Sequence, residues 1–98
     1  MAAKLNVEWS IRATGDIDRI YKYLIEEWGD KEAEEFLVLV DEFVSLISQY
    51  PEAFTTSRKK TNCRLGLIHK NVTGVYLIRN NSIFLVTLFD NRTNSVYR

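Results

Sequence analysis

The residues able to do chemistry are concentrated in the second half of this 98-residue chain. Beyond Tyr50 it carries eight cations, Arg58, Lys59, Lys60, Arg64, Lys70, Arg79, Arg92 and Arg98, against two acids, Glu52 and Asp90. Up to Tyr50 the balance reverses, with five Lys and Arg against eleven Asp and Glu, so a net charge of zero joins a −6 half to a +6 half. Either the halves neutralise each other across the fold, or the basic half faces a polyanion. His69 is the single imidazole, the usual proton carrier near neutral pH. Its place beside a turn, however, favours a surface or capping role over proton transfer. Asp90 either orients Arg92 or forms a turn through its own side chain. Cys63 has no partner for an internal disulfide and no Cys/His cluster has metal-ligand spacing. A reducing cytoplasm fits best, with no metal or cofactor expected. Cys63 reads as an inert strand residue.

The elements that must position these groups follow from apolar spacing. Ile83 to Phe89 is an uncharged run rich in β-branched and aromatic types, the mark of a strand covered on both faces, in mid-sheet. It delivers a polar tip, Asp90 to Asn94, followed by Tyr97 and Arg98. At the other end of the chain, Leu5, Val7 and Trp9 alternate with polar residues as in a half-buried strand. Ser10, with Thr14 the alternative, is placed to cap a helix with the stripe Ile17, Ile20, Tyr21, Leu24 and Trp28. Gly29 is placed to end that helix, with Asp30 capping the next. The second helix has its stripe in Ala33, Phe36, Leu37, Val40, Phe43, Val44 and Ile47, and stops before Pro51. Acidic residues are expected on the outer faces of both helices.

A polar loop from Glu52 to Asn62 holds the densest positive charge. Strands follow over Cys63 to Ile68, where Gly66 marks a bulge or close approach, then Val72 to Ile78 and Ser82 to Phe89, with an Asn80-Asn81 hairpin. The expected fold class is α+β, in the order β-α-α-β-β-β. An antiparallel helical hairpin packs on one face of a small, mainly antiparallel four-stranded sheet. Residues 1–98 form a single domain without a signal peptide or membrane span. The second face of the last strand needs cover, preferably from a partner chain rather than a loop.

The order of elements and the residues that carry it resemble the RelE/ParE superfamily of toxins from bacterial toxin–antitoxin modules. The likeness lies in VEWS before the first helix, DIDRIYKYLIEEWG within it and AEEFLVLVDEFVSLISQYPEAF as the second. It continues through Cys63-Arg64-Leu65, Val75 to Arg79 and the closing LFDNR. The resemblance implies a cytoplasmic toxin bound and neutralised by a cognate antitoxin in a hetero-oligomer. RelE-related members cut messenger RNA on the ribosome; ParE-related members poison DNA gyrase.

The leading expectation from the resemblance is a ribosome-dependent, metal-independent endoribonuclease. Its alternatives are a gyrase inhibitor and a non-catalytic co-repressor that binds antitoxin. Cleavage by the family's route needs a base for the 2′-hydroxyl, cations for the phosphate and an acid for the leaving oxygen. Carried over position by position, Arg64 and Arg92 clamp phosphate and Tyr97 stacks on a base or moves a proton. Lys59 is the candidate base, with Lys60 the other loop lysine. Arg58, Lys60, His69, Lys70, Arg79 and Arg98 then contact RNA, and Asp90 orients Arg92.

Overall fold

Ser10 sets where the helical half begins. In the computed structural model, which describes residues 4–93 and 95–97, strand β1 (Asn6–Trp9) passes directly into helix α1 (Ile11–Trp28). Ser10 lies between them with extended backbone, and its hydroxyl accepts the Ala13 N–H at 2.9 Å. That removes one of the unpaired donors at the helix start. The same hydroxyl donates to the Val86 carbonyl at 2.6 Å, fastening the cap to the sheet.

Gly29 alone joins α1 to α2 (Asp30–Gln49). Its φ of 96° suits glycine. Its N–H donates to the Leu24 and Ile25 carbonyls, and its own carbonyl accepts the Ala33 N–H. Asp30 therefore does not cap α2; it is that helix's first residue, where its charge favours the N-terminal dipole. The helix ends at Tyr50, before Pro51.

Three strands complete the sheet: β2 (Cys63–His69), β3 (Val72–Arg79) and β4 (Ser82–Asp90). Their order is β1-β4-β3-β2, with β1 parallel to β4 and the other pairings antiparallel. The long apolar strand β4 is thus internal, and Asn80 turns the β3–β4 hairpin with φ 51°. The helical hairpin covers one face. Phe36, Val40, Phe43 and Ile47 from α2 meet Tyr76, Ile83, Leu85 and Leu88 in one buried cluster, each side chain contributing ~1.5–3 kcal/mol. Phe43 makes the tightest fit. A Cβ on Gly66 would stand 2.7 Å from its ring, and one on Gly74 2.9 Å. Gly66 thus marks a close approach; the ladder irregularities fall at Leu67/His69 and Val75/Tyr76.

Two expectations need correction. Trp9 and Trp28 are exposed rather than in the core, at 39% and 69%. β1 is an edge strand with little cover, and Trp28 sits in the last turn of its helix. The second face of the sheet is also covered in part by the chain itself. Thr73 donates to the Asn91 side chain and Ser57 to the Tyr97 carbonyl. The described residues after β4, 91–93 and 95–97, thus touch β3 at Thr73 and Ser57 beside β2. Val75, on that face, is fully buried.

Candidate functional site

Where β1 stops pairing with β4, at Leu85, α1 takes over the exposed strand edge. Ser10 N–H donates to the Leu85 carbonyl at 3.0 Å. Two turns on, Asp16 accepts the Leu88 N–H at 3.1 Å and the Thr87 hydroxyl through the same oxygen, Oδ2. Its other oxygen accepts from the Arg19 guanidinium, with Arg12 Nε at 3.8 Å. Asp16 is 1% exposed, an acid on the inner rather than the solvated face of its helix. A carboxylate is tolerated there because strand donors and two arginines satisfy both oxygens.

Asp16 lies on the wall of a cleft of about 1010 Å³ lined by α1 and by residues 92, 93 and 95–97. Ile20, Tyr23, Leu24 and Trp28 line the α1 side. Arg92, Val96 and Tyr97 line the opposite side, and His69 and Lys70 close one end. Arg92 makes a two-pronged contact with Asp90, Nε to Oδ1 at 3.0 Å and Nη2 to Oδ2 at 2.6 Å, and its own N–H donates to Oδ1. These bonds hold the Asp90 carboxyl below the usual carboxylate range. They also hold the guanidinium more firmly protonated, Asp90 acting first and Tyr23 second. Such an arginine is oriented, with part of its donor fork occupied.

His69 is neither a surface nor a capping residue. It is buried at the end of β2, with Nε2 2.8 Å from Glu32 Oε2 and its ring edge-on to Phe36. Lys70 Nζ stands 3.8 Å from the same carboxylate. The pair ties the start of α2 to the sheet. Tyr97 is half-buried.

The remaining nominated residues lie elsewhere. Arg58, Lys59 and Lys60 occupy an exposed turn before β2, and Arg64 is near its start, with Nη1 donating to the Phe54 carbonyl at 2.7 Å. Arg79 lies over the Phe84 ring, 4.4 Å from its centroid, at the β3–β4 hairpin. Asp90 pairs with Val72, and Val72 with His69, so Arg92 belongs to the opposite end of the strands. Five residue steps from Arg64 to His69 span roughly 17 Å. Lys59 and Arg64 are thus separated from Arg92. Arg98 lies outside the described residues.

Sequence reasoning missed Asp16, Glu32 and Ser57. For Asp16 a signal was present, since it falls in the apolar stripe three residues after Ala13 and four before Ile20, with Arg12 and Arg19 at ion-pairing spacing. Glu32 and Ser57 carried none, because their partners are 37 and 40 residues away. Burial raises the Cys63 thiol above its ordinary value, consistent with an inert strand residue. No helix among the described residues is long and apolar enough to cross a membrane.

Residues 7–94 match the family model of the ParE toxin of the type II toxin–antitoxin system parDE. The chain belongs to this ParE toxin family. The match extends from β1 through β4 to the polar tip and includes the basic turn, while Ser95, Val96 and Tyr97 of the cleft lie beyond it. Among solved structures, the chain is similar to the chromosomal ParDE toxin–antitoxin system from P. aeruginosa, with a TM-score of 0.77 and 14% identity over 91% of this chain and 98% of that one. It is also similar to the conserved hypothetical protein HP0894 from Helicobacter pylori, at TM-score 0.59 and 19% identity over 90% and 96% of the two chains. The YoeB dimer from Staphylococcus aureus gives TM-score 0.59 and 19% identity over 87% and 94%. At these identities the likeness is one of fold. A comparison with curated protein sequences gives no match. The fold is that of a RelE/ParE superfamily toxin, with two helices on a mixed four-stranded sheet.

Proposed function

We propose that this toxin acts by binding rather than by cutting, as a ParE-like inhibitor of DNA gyrase in the cytoplasm, restrained by a cognate antitoxin. The observation that carries the reading is the separation of Lys59 and Arg64 from Arg92 by most of the length of β2. General acid–base cleavage needs base, acid and phosphate clamp within hydrogen-bond reach of one phosphodiester. Arg92 is also committed to Asp90. The match to the ParE family supports the same reading. A supercoiling assay with purified toxin tests it: loss of supercoiling activity with accumulation of cleaved DNA is expected, and unaffected gyrase sinks it.

One observation favours the ribosome-dependent endoribonuclease instead. Ser57 binds the Tyr97 carbonyl and the Lys59 and Lys60 amides, bringing the chain's end beside the basic turn. On that reading Lys59, Arg64 and Tyr97 would form the site, with Arg58, Lys60 and Arg79 holding RNA. Primer extension on messengers from cells expressing the toxin separates the two. Codon-phased cuts abolished by Arg64→Ala with Tyr97→Phe would establish cleavage. Growth without arrest, with tight antitoxin binding, would instead mark a co-repressor.

A further inference from the structure

The positive side chains fall into two groups according to their partners. Arg12 and Arg19 flank Asp16, Lys22 faces Asp18, Lys70 faces Glu32 and Arg92 holds Asp90. Seven others meet no carboxylate among the described residues: Lys4, Lys31 and Arg64, and the four Arg58, Lys59, Lys60 and Arg79. These four gather at one end of the sheet. Cys63 N–H donates to the Lys60 carbonyl at 2.8 Å, and Cys63 pairs with Leu77, two residues before Arg79.

The turn that carries three of them is built. The Ser57 hydroxyl, 2% exposed, accepts the Lys59 N–H at 3.1 Å and the Lys60 N–H at 3.0 Å while donating to Tyr97. Ser57 N–H donates to the Cys63 carbonyl at 2.7 Å, and Leu65 N–H to Thr55, so the turn is laced to the edge of β2. Six of the thirteen acids lie far from this turn. Glu26, Glu27, Asp30, Glu34 and Glu35 cluster at the α1–α2 joint, and Glu32 of the same turn reaches His69 at the far end of β2. The cations of this turn are therefore remote from the acidic α1–α2 joint, while Lys70 and Arg92 of the basic half stand beside Glu32 and Asp90 at the far end.

We propose that the end bearing Arg58, Lys59, Lys60 and Arg79 docks on the phosphate backbone of duplex DNA. This deepens the gyrase reading and rests on it: an enzyme that works on DNA would be met by a toxin already held to the same duplex. Cations without carboxylate partners exchange condensed counterions for phosphates, which gives sequence-independent binding and speeds encounter. A duplex fits better than a single strand. Single-strand sites add free aromatic platforms, whereas here Phe54 packs on Phe43 and Tyr76, and Phe84 lies beneath Arg79, leaving Tyr50 exposed.

The test is fluorescence anisotropy of a labelled random-sequence DNA duplex titrated with purified toxin. About three phosphate contacts give binding roughly 40-fold weaker at ~200 mM than at ~50 mM salt. Arg58→Ala with Lys59→Ala and Lys60→Ala should abolish binding and flatten the salt dependence while the circular dichroism melt is unchanged. Lys59→Gln with Lys60→Gln serves if that triple variant does not fold. Absence of duplex binding, binding that survives the substitutions, or tighter binding to a single-stranded RNA of equal length would each overturn the proposal. Supercoiling is assayed in parallel on the unsubstituted toxin. Inhibition without duplex binding removes this surface and keeps the gyrase reading, and duplex binding without inhibition does the reverse.

Discussion

The Asp16 carboxylate accepts the backbone N–H of Leu88, 72 residues further along the chain, at 3.1 Å. A side chain on α1 thus completes the hydrogen bonding of a central strand where its neighbour strand has ended. Asp16→Ala leaves that buried N–H and the Thr87 hydroxyl without a partner, and should cost ~2–3 kcal/mol. Asp16→Asn keeps an acceptor and should cost less. Urea unfolding of both variants checks the order; equal stability of the alanine variant and the parent would contradict it.

Glycine substitutions should change sign with position. Gly66→Ala drives a methyl into the Phe43 and Phe54 rings, at 2.7 and 2.9 Å, and should destabilise by ~1–3 kcal/mol. Gly15 lies inside α1 with no atom within 4 Å of its added Cβ. Gly15→Ala should therefore stabilise by ~0.5–1 kcal/mol. Thermal melts of the two single variants decide this.

Much of the fold was legible because its signals are local. Ser10 and the run of stripe residues from Ala33 to Ile47 announce α2 and the start of α1 within one or two turns of sequence. The apolar run of β4 declares an internal strand by composition alone. What escaped depends on distant partners: Trp9 alternates like a core residue, yet its strand is an uncovered edge, and Asp16 falls in the apolar stripe of α1 but gains its role only when Leu88 is placed beside it. The candidate site was legible only as a set of residue types. Lys59, Arg64 and Arg92 share a charge and a half of the chain, but the antiparallel register of β2, β3 and β4 assigns them to opposite ends.

Asp90 supplies a pH signature. Its carboxyl is held below its ordinary value of 3.8 by the Arg92 side chain, so its stabilising contribution is present above that value and is lost as pH falls through the depressed one. The parent should exceed Asp90→Asn in stability at neutral pH, and the gap should close in strongly acid solution. Paired urea titrations at the two pH values measure it; a gap that widens on acidification would refute the assignment.

Ser57→Ala removes the hydroxyl shared by the Lys59 and Lys60 amides and the Tyr97 carbonyl. The expected loss is ~1–2 kcal/mol, with faster amide hydrogen exchange confined to the basic turn and the chain's last residues. Unchanged exchange at Lys59 and Lys60 would show that the hydroxyl does not order the turn.

The pairing of β1 with β4 also has a consequence for timing. Strand β1, Asn6–Trp9, pairs with Ser82–Leu85, which lie some 76 residues further along the chain. Ribosomes build a chain at ~5–20 residues per second, so β1 waits roughly 4–15 seconds for its partner. A chain interrupted before β4 keeps β2 and β3 beneath α2 but lacks Ile83, Leu85 and Leu88 of the buried cluster and leaves β1 unpaired. The complete sheet, and with it the folded toxin, therefore forms only once β4 has been made.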